Sequence, residues 1–166
     1  MRQTVKQCLA QVESAWGFVD HQISQWLDWA AQLHEIGLNI SHNQYQQHGA
    51  YIVENADLAG FSAQEQKLLS LLLRAHRRKF PVKLFKDIPN GTSRLMQRLA
   101  ILLRLAVLLH RGRSAAPLPK FTLGADKKSL DIRFPSGWLE AHPLTRADLE
   151  QEADYLKAAG FELRYR

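Results

Sequence analysis

The stretch LHEIGLNISH, at residues 33–42, does the most to indicate how this chain folds. Before it, apolar residues recur at the 3.6-residue spacing of an amphipathic helix, which is predicted to run from about Gln22 to Glu35. His34 lies on the apolar stripe of that helix, next to the carboxylate of Glu35. Gly37 is a suitable stop signal, because glycine readily takes the left-handed conformation that ends many helices.

Two histidines further along the chain also lie on apolar helix faces. His48 belongs to a helix predicted from about Asn43 to Asn55, and His76 ends the helix that follows it. A lone histidine on an apolar face is usually a core residue with satisfied hydrogen bonds. Three of them on successive helices, with a neighbouring carboxylate, equally fit a shared polar pocket lined by His34, Glu35, His48 and His76. Both interpretations stay open on the sequence alone.

Helix signals cover most of the first two-thirds of the chain. Besides the two helices around residues 22–35 and 43–55, the periodicity predicts helices over residues 3–16, 62–76 and 93–110. Ser62 and Glu65 have the spacing of a capping box, in which each side chain bonds the backbone N–H of the other residue. This part of the chain, residues 1–113, is predicted to form a helical bundle.

The composition changes at residues 114–120, where Pro117 and Pro119 indicate a linker. Residues 121–166 are predicted to form a small antiparallel β/α subdomain with the element order β-β-α-β. Its predicted elements are a hairpin of residues 121–125 and 130–134, a helix capped by Thr145 and ending near Ala159, and a last strand of residues 161–165. The predicted fold class is mainly α with a small β appendage, α+β overall.

Composition narrows the class of protein. A length of 166 residues favours one domain, or one domain with a small appendage. The single cysteine, Cys8, excludes an internal disulfide and a zinc cluster of cysteines. Residues 1–9 lack the apolar core of a signal peptide, and the apolar stretches are shorter than the roughly 20 residues that span a bilayer. We therefore expect a soluble cytoplasmic protein that does not enter the membrane.

The net charge of +6 is concentrated in one segment. Residues 74–113 contain eleven of the 22 lysines and arginines, with Asp87 as the only acidic residue among them. Such a field attracts polyanions, whereas a solvated helical surface usually intersperses acids with its bases. The residues predicted to contact a phosphate polyanion are Arg74, Arg77, Arg78, Lys79, Arg98 and Arg104. A solvated helical face is the alternative.

The four pocket residues resemble the skeleton of the HD-type metal phosphohydrolases. In that pattern an early histidine, a His-Asp pair and a late aspartate hold the metal. In this chain the pair is His34 and Glu35, Val107 stands where the late aspartate is expected, and no early histidine precedes the pair in the usual helix. A catalytic divalent metal needs at least three protein ligands. The sequence therefore predicts no metal site and no catalytic residue.

A longer segment carries a more specific resemblance. LHEIGLNISHNQYQQHGAYIVENADLAGF, followed by RAHRRK, LLRLAVLL and RFPSGWLE, resembles the C-terminal region of the exopolyphosphatase / guanosine pentaphosphate phosphohydrolase (Ppx/GppA) family. The resemblance implies an HD-like bundle without a working metal site, which helps to form a polyphosphate channel and a homodimer. It also implies separate actin-like catalytic domains that use Mg²⁺ and a glutamate. Nothing in this sequence resembles those domains, so we expect no cofactor here.

The function predicted from the sequence is noncatalytic polyphosphate binding and assembly within an exopolyphosphatase-like phosphohydrolase. Its partners would be polyphosphate or another phosphate polyanion, a second copy of the chain, and the catalytic domains where they are present. One alternative is an active HD-type nucleotide phosphohydrolase with an unusual metal set. A nucleic-acid-binding module is another, although no recognition helix or RNA-binding motif accompanies the charge. A pure oligomerisation domain is the third.

Overall fold

The computed structural model describes residues 1–18, 21–112 and 117–166. Its first part contains, within those ranges, helices α1 (Arg2–Trp16), α2 (His21–Leu33), α3 (Tyr45–Asn55), α4 (Ala63–Ala75) and α5 (Asn90–Leu109). Short 3-10 helices at Ile36–Asn39 and Val82–Phe85 follow α2 and α4. The five predicted helices are confirmed, with ends that differ by a few residues.

The start of α4 has the capping box that its sequence predicts. The backbone N–H of Glu65 donates to Ser62 Oγ at 3.2 Å, and the N–H of Ser62 donates to Glu65 Oε2 at 2.7 Å. Two of the N–H groups at this helix end, which have no partner within the helix, are thereby satisfied. The beginning of α4 is thus determined locally.

Helix α5 lies at the centre of the bundle. Residues 99–106 are all buried, so this stretch is covered on every side rather than along one stripe. It packs against α1, α2 and α4 and, from the C-terminal part, against the helix of residues 143–157. Each fully buried leucine contributes about 1.5–3 kcal/mol relative to an exposed one. The run LLRLAVLL therefore supplies much of the core.

The turn after α2 is shaped by contact with α3. A Cβ atom on Gly37 would lie 1.9 Å from the carbonyl oxygen of Tyr45 and 2.5 Å from the amide nitrogen of Gly49. Gly37 is not among the residues with a positive φ. The interpretation of Gly37 as a left-handed stop is therefore wrong, because the structure needs this glycine for close approach between two backbones.

The C-terminal part contains strands β1 (Thr122–Asp126) and β2 (Ser129–Arg133), helices α6 (Trp138–Ala141) and α7 (Pro143–Lys157), and strand β3 (Glu162–Tyr165). The sheet order is β1-β2-β3, with β1 and β2 antiparallel around the two-residue turn of Lys127 and Lys128. Strand β3 is parallel to β2. The prediction of an all-antiparallel subdomain is wrong for β3, because α6 and α7 form a crossover that returns the chain to the start of the sheet.

The predicted helix cap at Thr145 is also wrong. Helix α7 begins two residues earlier, at Pro143. Proline is well suited to the first position of a helix, because its missing N–H would have no partner within the helix there and its φ is already helical. Thr145 therefore lies within the first turn of α7 rather than before it.

The appendage shares one hydrophobic core with the bundle. The buried cluster extends from Val5 in α1 to Leu163 in β3. Polar contacts cross the same boundary, since Trp16 Nε1 donates to the carbonyl of Asp126 at 2.8 Å. The predicted fold class, mainly α with a small β part, is confirmed. The division at residues 114–120 stays a prediction, and residues 113–116 lie outside the described ranges.

None of the helices in the described ranges combines the length and the apolar character that a membrane span requires.

Candidate functional site

A cavity of about 480 Å³ lies where the ends of α2, α4 and α5 meet the start of α3. We call it the histidine pocket. Polar and charged side chains form most of its wall. It is lined by Met1, His34, Glu35, Leu38, His42, Tyr45, Arg77, Arg78, Val107, His110 and Arg111.

His34 and His76 meet beneath this pocket. Their rings are perpendicular, with centroids 5.7 Å apart. Nδ1 of His34 donates to the carbonyl oxygen of Ala31 at 2.8 Å, and Nδ1 of His76 donates to that of Leu73 at 2.5 Å. A carbonyl oxygen can only accept, so each Nδ1 carries the hydrogen. In the neutral ring, each Nε2 is then left as an acceptor.

His76 is a buried, neutral residue. It is 1% exposed, and its Nε2 has no hydrogen-bond partner within the described part of the chain. The pKa of His76 is lowered to about 3, chiefly by burial and to a smaller extent by the nearby His34, Arg77 and Arg104. His76 therefore cannot serve as a cation for a phosphate near neutral pH. It supports the pocket from below instead.

Tyr45 connects the buried histidine to the surface. Its ring centroid lies 5.6 Å from that of His76, and the guanidinium carbon of Arg77 lies 4.3 Å above the same ring. His42 packs edge-on against Tyr45 at 6.4 Å between centroids. His48, almost one helical turn further along α3, is not among the lining residues. The structure thus brings His34, Glu35 and His76 together and places Tyr45 where α3 meets them.

The residues in the wall of the histidine pocket determine whether the pocket could hold a metal ion. Glu35 lies exposed at the rim, and Val107 presents a half-buried hydrocarbon side chain where the HD pattern has an aspartate. Among the described residues, no group of three His, Cys, Asp or Glu side chains is arranged to hold a metal ion. With a hydrocarbon at the position of the expected late ligand, the pocket does not fit a catalytic HD metal.

Two arginines at the mouth of the pocket come from the segment after α4. Arg77 is half-buried over Tyr45, and Arg78 is exposed. The backbone of Arg78 is left-handed, with φ 63°. A non-glycine residue needs outside support for this conformation, which costs about 1–2 kcal/mol. Its carbonyl oxygen receives that support from Arg104 Nη2, at 2.6 Å.

Arg104 has a structural role that removes it from the predicted phosphate contacts. It is 2% exposed. Its guanidinium donates to both carboxylate oxygens of Glu152, at 2.5 and 2.8 Å, and to the carbonyl oxygens of Ala75 and Arg78, each at 2.6 Å. It therefore holds the end of α4, the segment after it and α7 together, and its burial keeps it from contacting a phosphate at the surface.

The other predicted contacts lie apart from the pocket. Arg98 donates to the carbonyl oxygens of Trp16 and Lys127, at 3.0 and 3.2 Å, and lines a different cavity. Arg74 and Lys79 are exposed on either side of the pair formed by Arg77 and Arg78, and neither lines the histidine pocket. Of the six predicted residues, only Arg77 and Arg78 line the histidine pocket.

Two residues that follow α5, His110 and Arg111, also line the histidine pocket, and neither was predicted to do so. His110 Nε2 and Thr4 Oγ1 lie 2.7 Å apart in a hydrogen bond, and the pKa of His110 is lowered, chiefly by burial. Arg111 forms an ion pair with Asp148 of α7. Both residues directly follow the last turn of α5. In the sequence, their position at a predicted helix end was the only feature that pointed to a place in the pocket.

Comparisons with known proteins agree with the resemblance drawn from the sequence. The chain is 37% identical over 164 residues to a protein of Aeromonas hydrophila named guanosine-5'-triphosphate,3'-diphosphate pyrophosphatase, covering 99% of this chain and 33% of that protein. A protein of Aeromonas salmonicida with the same name is 34% identical, with the same two shares. One from Pseudoalteromonas translucida, also of that name, is 37% identical over 133 residues, 80% of this chain and 27% of that protein.

The chain thus spans about a third of the length of the two Aeromonas relatives. It also matches the description "Ppx/GppA phosphatase, domain III" over residues 1–153. The predicted resemblance is confirmed by these two independent comparisons. Because the match covers most of its 166 residues, the chain belongs to the Ppx/GppA phosphatase family.

Proposed function

We propose that this domain is a noncatalytic polyanion-binding and assembly part of a Ppx/GppA phosphohydrolase, and that the histidine pocket receives phosphate groups. The observation that carries the proposal is that Arg77 and Arg78 both line the pocket without a carboxylate partner. Neither side chain forms an ion pair with any described residue. Among the described residues, Glu35 is the only acidic one in the pocket lining, which also includes Arg111.

The free energies of the competing interactions favour anion binding at Arg77 and Arg78. Both arginines follow the C-terminal end of α4, the negative end of the helix dipole, which opposes an anion by about 0.3–1 kcal/mol. A charge-assisted hydrogen bond from a guanidinium contributes about 1.5–3 kcal/mol, and arginine can make two to one phosphate. Two arginines therefore outweigh the dipole.

Arg104 supports this role without touching the ligand. Its bond to the Arg78 carbonyl holds the backbone of the segment in the left-handed conformation. The stacking of Arg77 on Tyr45 restricts the other guanidinium. Groups that are already oriented lose less conformational entropy on binding, so the ligand gains affinity.

The ligand that we propose first is polyphosphate. The name of the relatives indicates a guanosine nucleotide with phosphates at two positions as the alternative. The phosphate chemistry is common to both ligands. A direct comparison of long-chain polyphosphate, inorganic triphosphate and guanosine polyphosphates would rank them.

The test is equilibrium binding of polyphosphate at low salt to the wild type and to the Arg77→Ala/Arg78→Ala variant. The matched control, Lys67→Ala/Lys120→Ala, removes two exposed cations that line neither the histidine pocket nor the pocket of Arg98. We expect the arginine variant to bind at least about tenfold more weakly and the control to bind like the wild type. Equal loss in both variants would show that only net charge matters.

We also propose that the domain alone lacks hydrolase activity and binds no stoichiometric transition metal, because Val107 replaces the late ligand of the HD pattern. Elemental analysis after dialysis and hydrolysis assays on nucleotides and polyphosphate test this. One tightly bound metal per chain, or an activity that His34→Ala abolishes, would favour an HD-type phosphohydrolase instead. The assembly role rests on the family and predicts a homodimer, which sedimentation of the purified chain would test.

A further inference from the structure

A second cavity lies between the first half of α5 and the turn of the β1–β2 hairpin. Its volume is about 300 Å³. We call it the junction pocket, after its position between the bundle and the appendage. The cations that line it are Arg94 and Arg98 from α5 and Lys127 and Lys128 from the turn.

The charges of the junction pocket have no carboxylate partner. None of the described residues that line it is acidic, and no described carboxylate forms an ion pair with any of the four cations. The hydrogen bonds of Arg98 go to two neutral carbonyls. The carboxylate of Asp126, next in the chain, accepts the backbone N–H of Lys127 at 2.7 Å. Lys128 also lines a neighbouring cavity that contains Glu150, Asp154 and Glu162. Among the described residues, four cations and no carboxylate line the junction pocket itself.

The electrostatics of Arg98 reflect this crowding. Its pKa is lowered first by burial and then by the positive charge of Arg94, which lies one turn earlier on the same helix. Like charges four residues apart on a helix repel each other. An anion between them would relieve that repulsion.

Several polar groups of the pocket are already held in place. The guanidinium carbon of Arg98 lies 5.2 Å from the ring centroid of Trp16, in addition to the two carbonyl bonds. Gln97 Nε2 donates to Ser93 Oγ at 3.2 Å, and Ser93 in turn donates to the carbonyl of Phe85 at 2.6 Å. The wall also includes three buried apolar side chains, Phe80, Ile101 and Phe161. Charges beside such an apolar wall are less screened than charges in open solvent.

We propose that the junction pocket is a second anion-binding site, which takes a short oligophosphate group. The group is either inorganic or part of a nucleotide. It lies along α5 from the histidine pocket, since Gln97 and Val107 are ten residues, or about 15 Å, apart on the helix axis. The proposal does not depend on the histidine pocket.

Ligand binding at the junction pocket should also stabilise the fold, because its four cations come from two different parts of the chain. Two come from the bundle and two from the appendage, so a bound oligophosphate contacts both. A ligand that binds only the folded arrangement stabilises it in proportion to RT ln(1 + [L]/Kd). Binding at the junction pocket therefore raises the temperature at which the domain unfolds.

The experiment is a calorimetric titration with inorganic triphosphate, repeated with GTP, together with thermal unfolding at each ligand concentration. The variants are Lys127→Ala/Lys128→Ala, Arg94→Ala, Arg77→Ala/Arg78→Ala and the control Lys67→Ala/Lys120→Ala. The lysine substitutions keep the Lys127 carbonyl that Arg98 contacts, and both lysines are exposed in a turn. Arg94→Ala tests the site independently, should the turn variant fold poorly.

We expect the turn variant and Arg94→Ala each to bind triphosphate at the junction pocket roughly tenfold more weakly and to lose its thermal stabilisation. The lysine control should keep both, whereas the Arg77→Ala/Arg78→Ala variant should lose only binding at the histidine pocket and keep binding at the junction pocket. Binding of triphosphate but not GTP would identify an inorganic ligand, and equal binding would identify the phosphates as the recognised group. Unchanged triphosphate binding in both junction variants, or no binding of triphosphate by the wild type, would overturn the proposal. Loss in Arg77→Ala/Arg78→Ala alone would overturn it while supporting the histidine pocket.

Discussion

At the scale of single residues, the segment of residues 74–113 contains cations in opposite environments. Arg104 is buried and makes four hydrogen bonds, whereas Arg77 and Arg78 reach the surface beside it. Its neighbours in LLRLAVLL are apolar, a setting in which a charged residue needs a partner. That partner, Glu152, is 48 residues away, and nothing local in the sequence identifies it. The basic segment could therefore be predicted as a whole, but not the role of each member.

The Glu152→Ala variant tests the role of Arg104. It leaves a buried guanidinium without its carboxylate, which costs about 3–5 kcal/mol. Asp148→Ala is the control, because Asp148 pairs with the half-exposed Arg111 and such pairs contribute at most about 1 kcal/mol. Urea unfolding measures both. A loss from Glu152→Ala no larger than that from the control would contradict a structural role for the pair.

His76 makes stability depend on pH. Its folded-state pKa of about 3 lies below the ordinary 6.5, so the unfolded chain binds the proton first as the pH falls. This site has no effect on stability above pH 6.5, and it destabilises the fold progressively between pH 6.5 and about 3, by up to about 1.4 kcal/mol per pH unit. Urea unfolding of the wild type and of His76→Asn across this range gives the two slopes. Equal slopes would show that His76 takes up its proton in the folded state as easily as in the unfolded one.

At the scale of elements, periodicity was enough to predict the five helices of the bundle and the hairpin. It could not predict the partner of β3, because a strand sequence shows which face is buried and not which neighbour it pairs with. Periodicity also identified the correct face of α3, but it could not show which residue along that face lies next to the pocket. Tyr45, rather than His48, therefore meets the buried histidine. Which residue of a helix meets the pocket depends on where that helix crosses its neighbours.

The crossing of α3 with the turn after α2 makes a sharp prediction for Gly37→Ala. The added Cβ would meet the backbone of Tyr45 and Gly49, which cannot rotate away, so we expect a loss of at least about 1–3 kcal/mol. Gly91→Ala is the matched control, since nothing lies within 4 Å of its Cβ and it lies in the first turn of α5. That change should be neutral or slightly stabilising. Similar stabilities for the two variants would refute the close approach.

At the scale of the whole molecule, the bundle and the appendage share one core and are joined by charge-bearing contacts at two places along α5. Arg98 reaches the hairpin turn from the first half of the helix, and Arg111 reaches α7 beyond its end. The histidine pocket and the junction pocket lie beside these two contacts. If both proposed sites bind phosphate groups, an extended polyanion meets cations at two places on one domain.

The most direct test of polyanion binding at the histidine pocket is the salt dependence of polyphosphate affinity. Each phosphate contact releases condensed counterions, so the logarithm of the affinity falls linearly with the logarithm of the salt concentration. We predict a steep slope for the wild type and a shallower one for Arg77→Ala/Arg78→Ala, with the Lys67→Ala/Lys120→Ala control keeping the wild-type slope. An unchanged slope in the arginine variant, or no binding at low salt, would show that Arg77 and Arg78 form a solvated face or contact a protein partner instead.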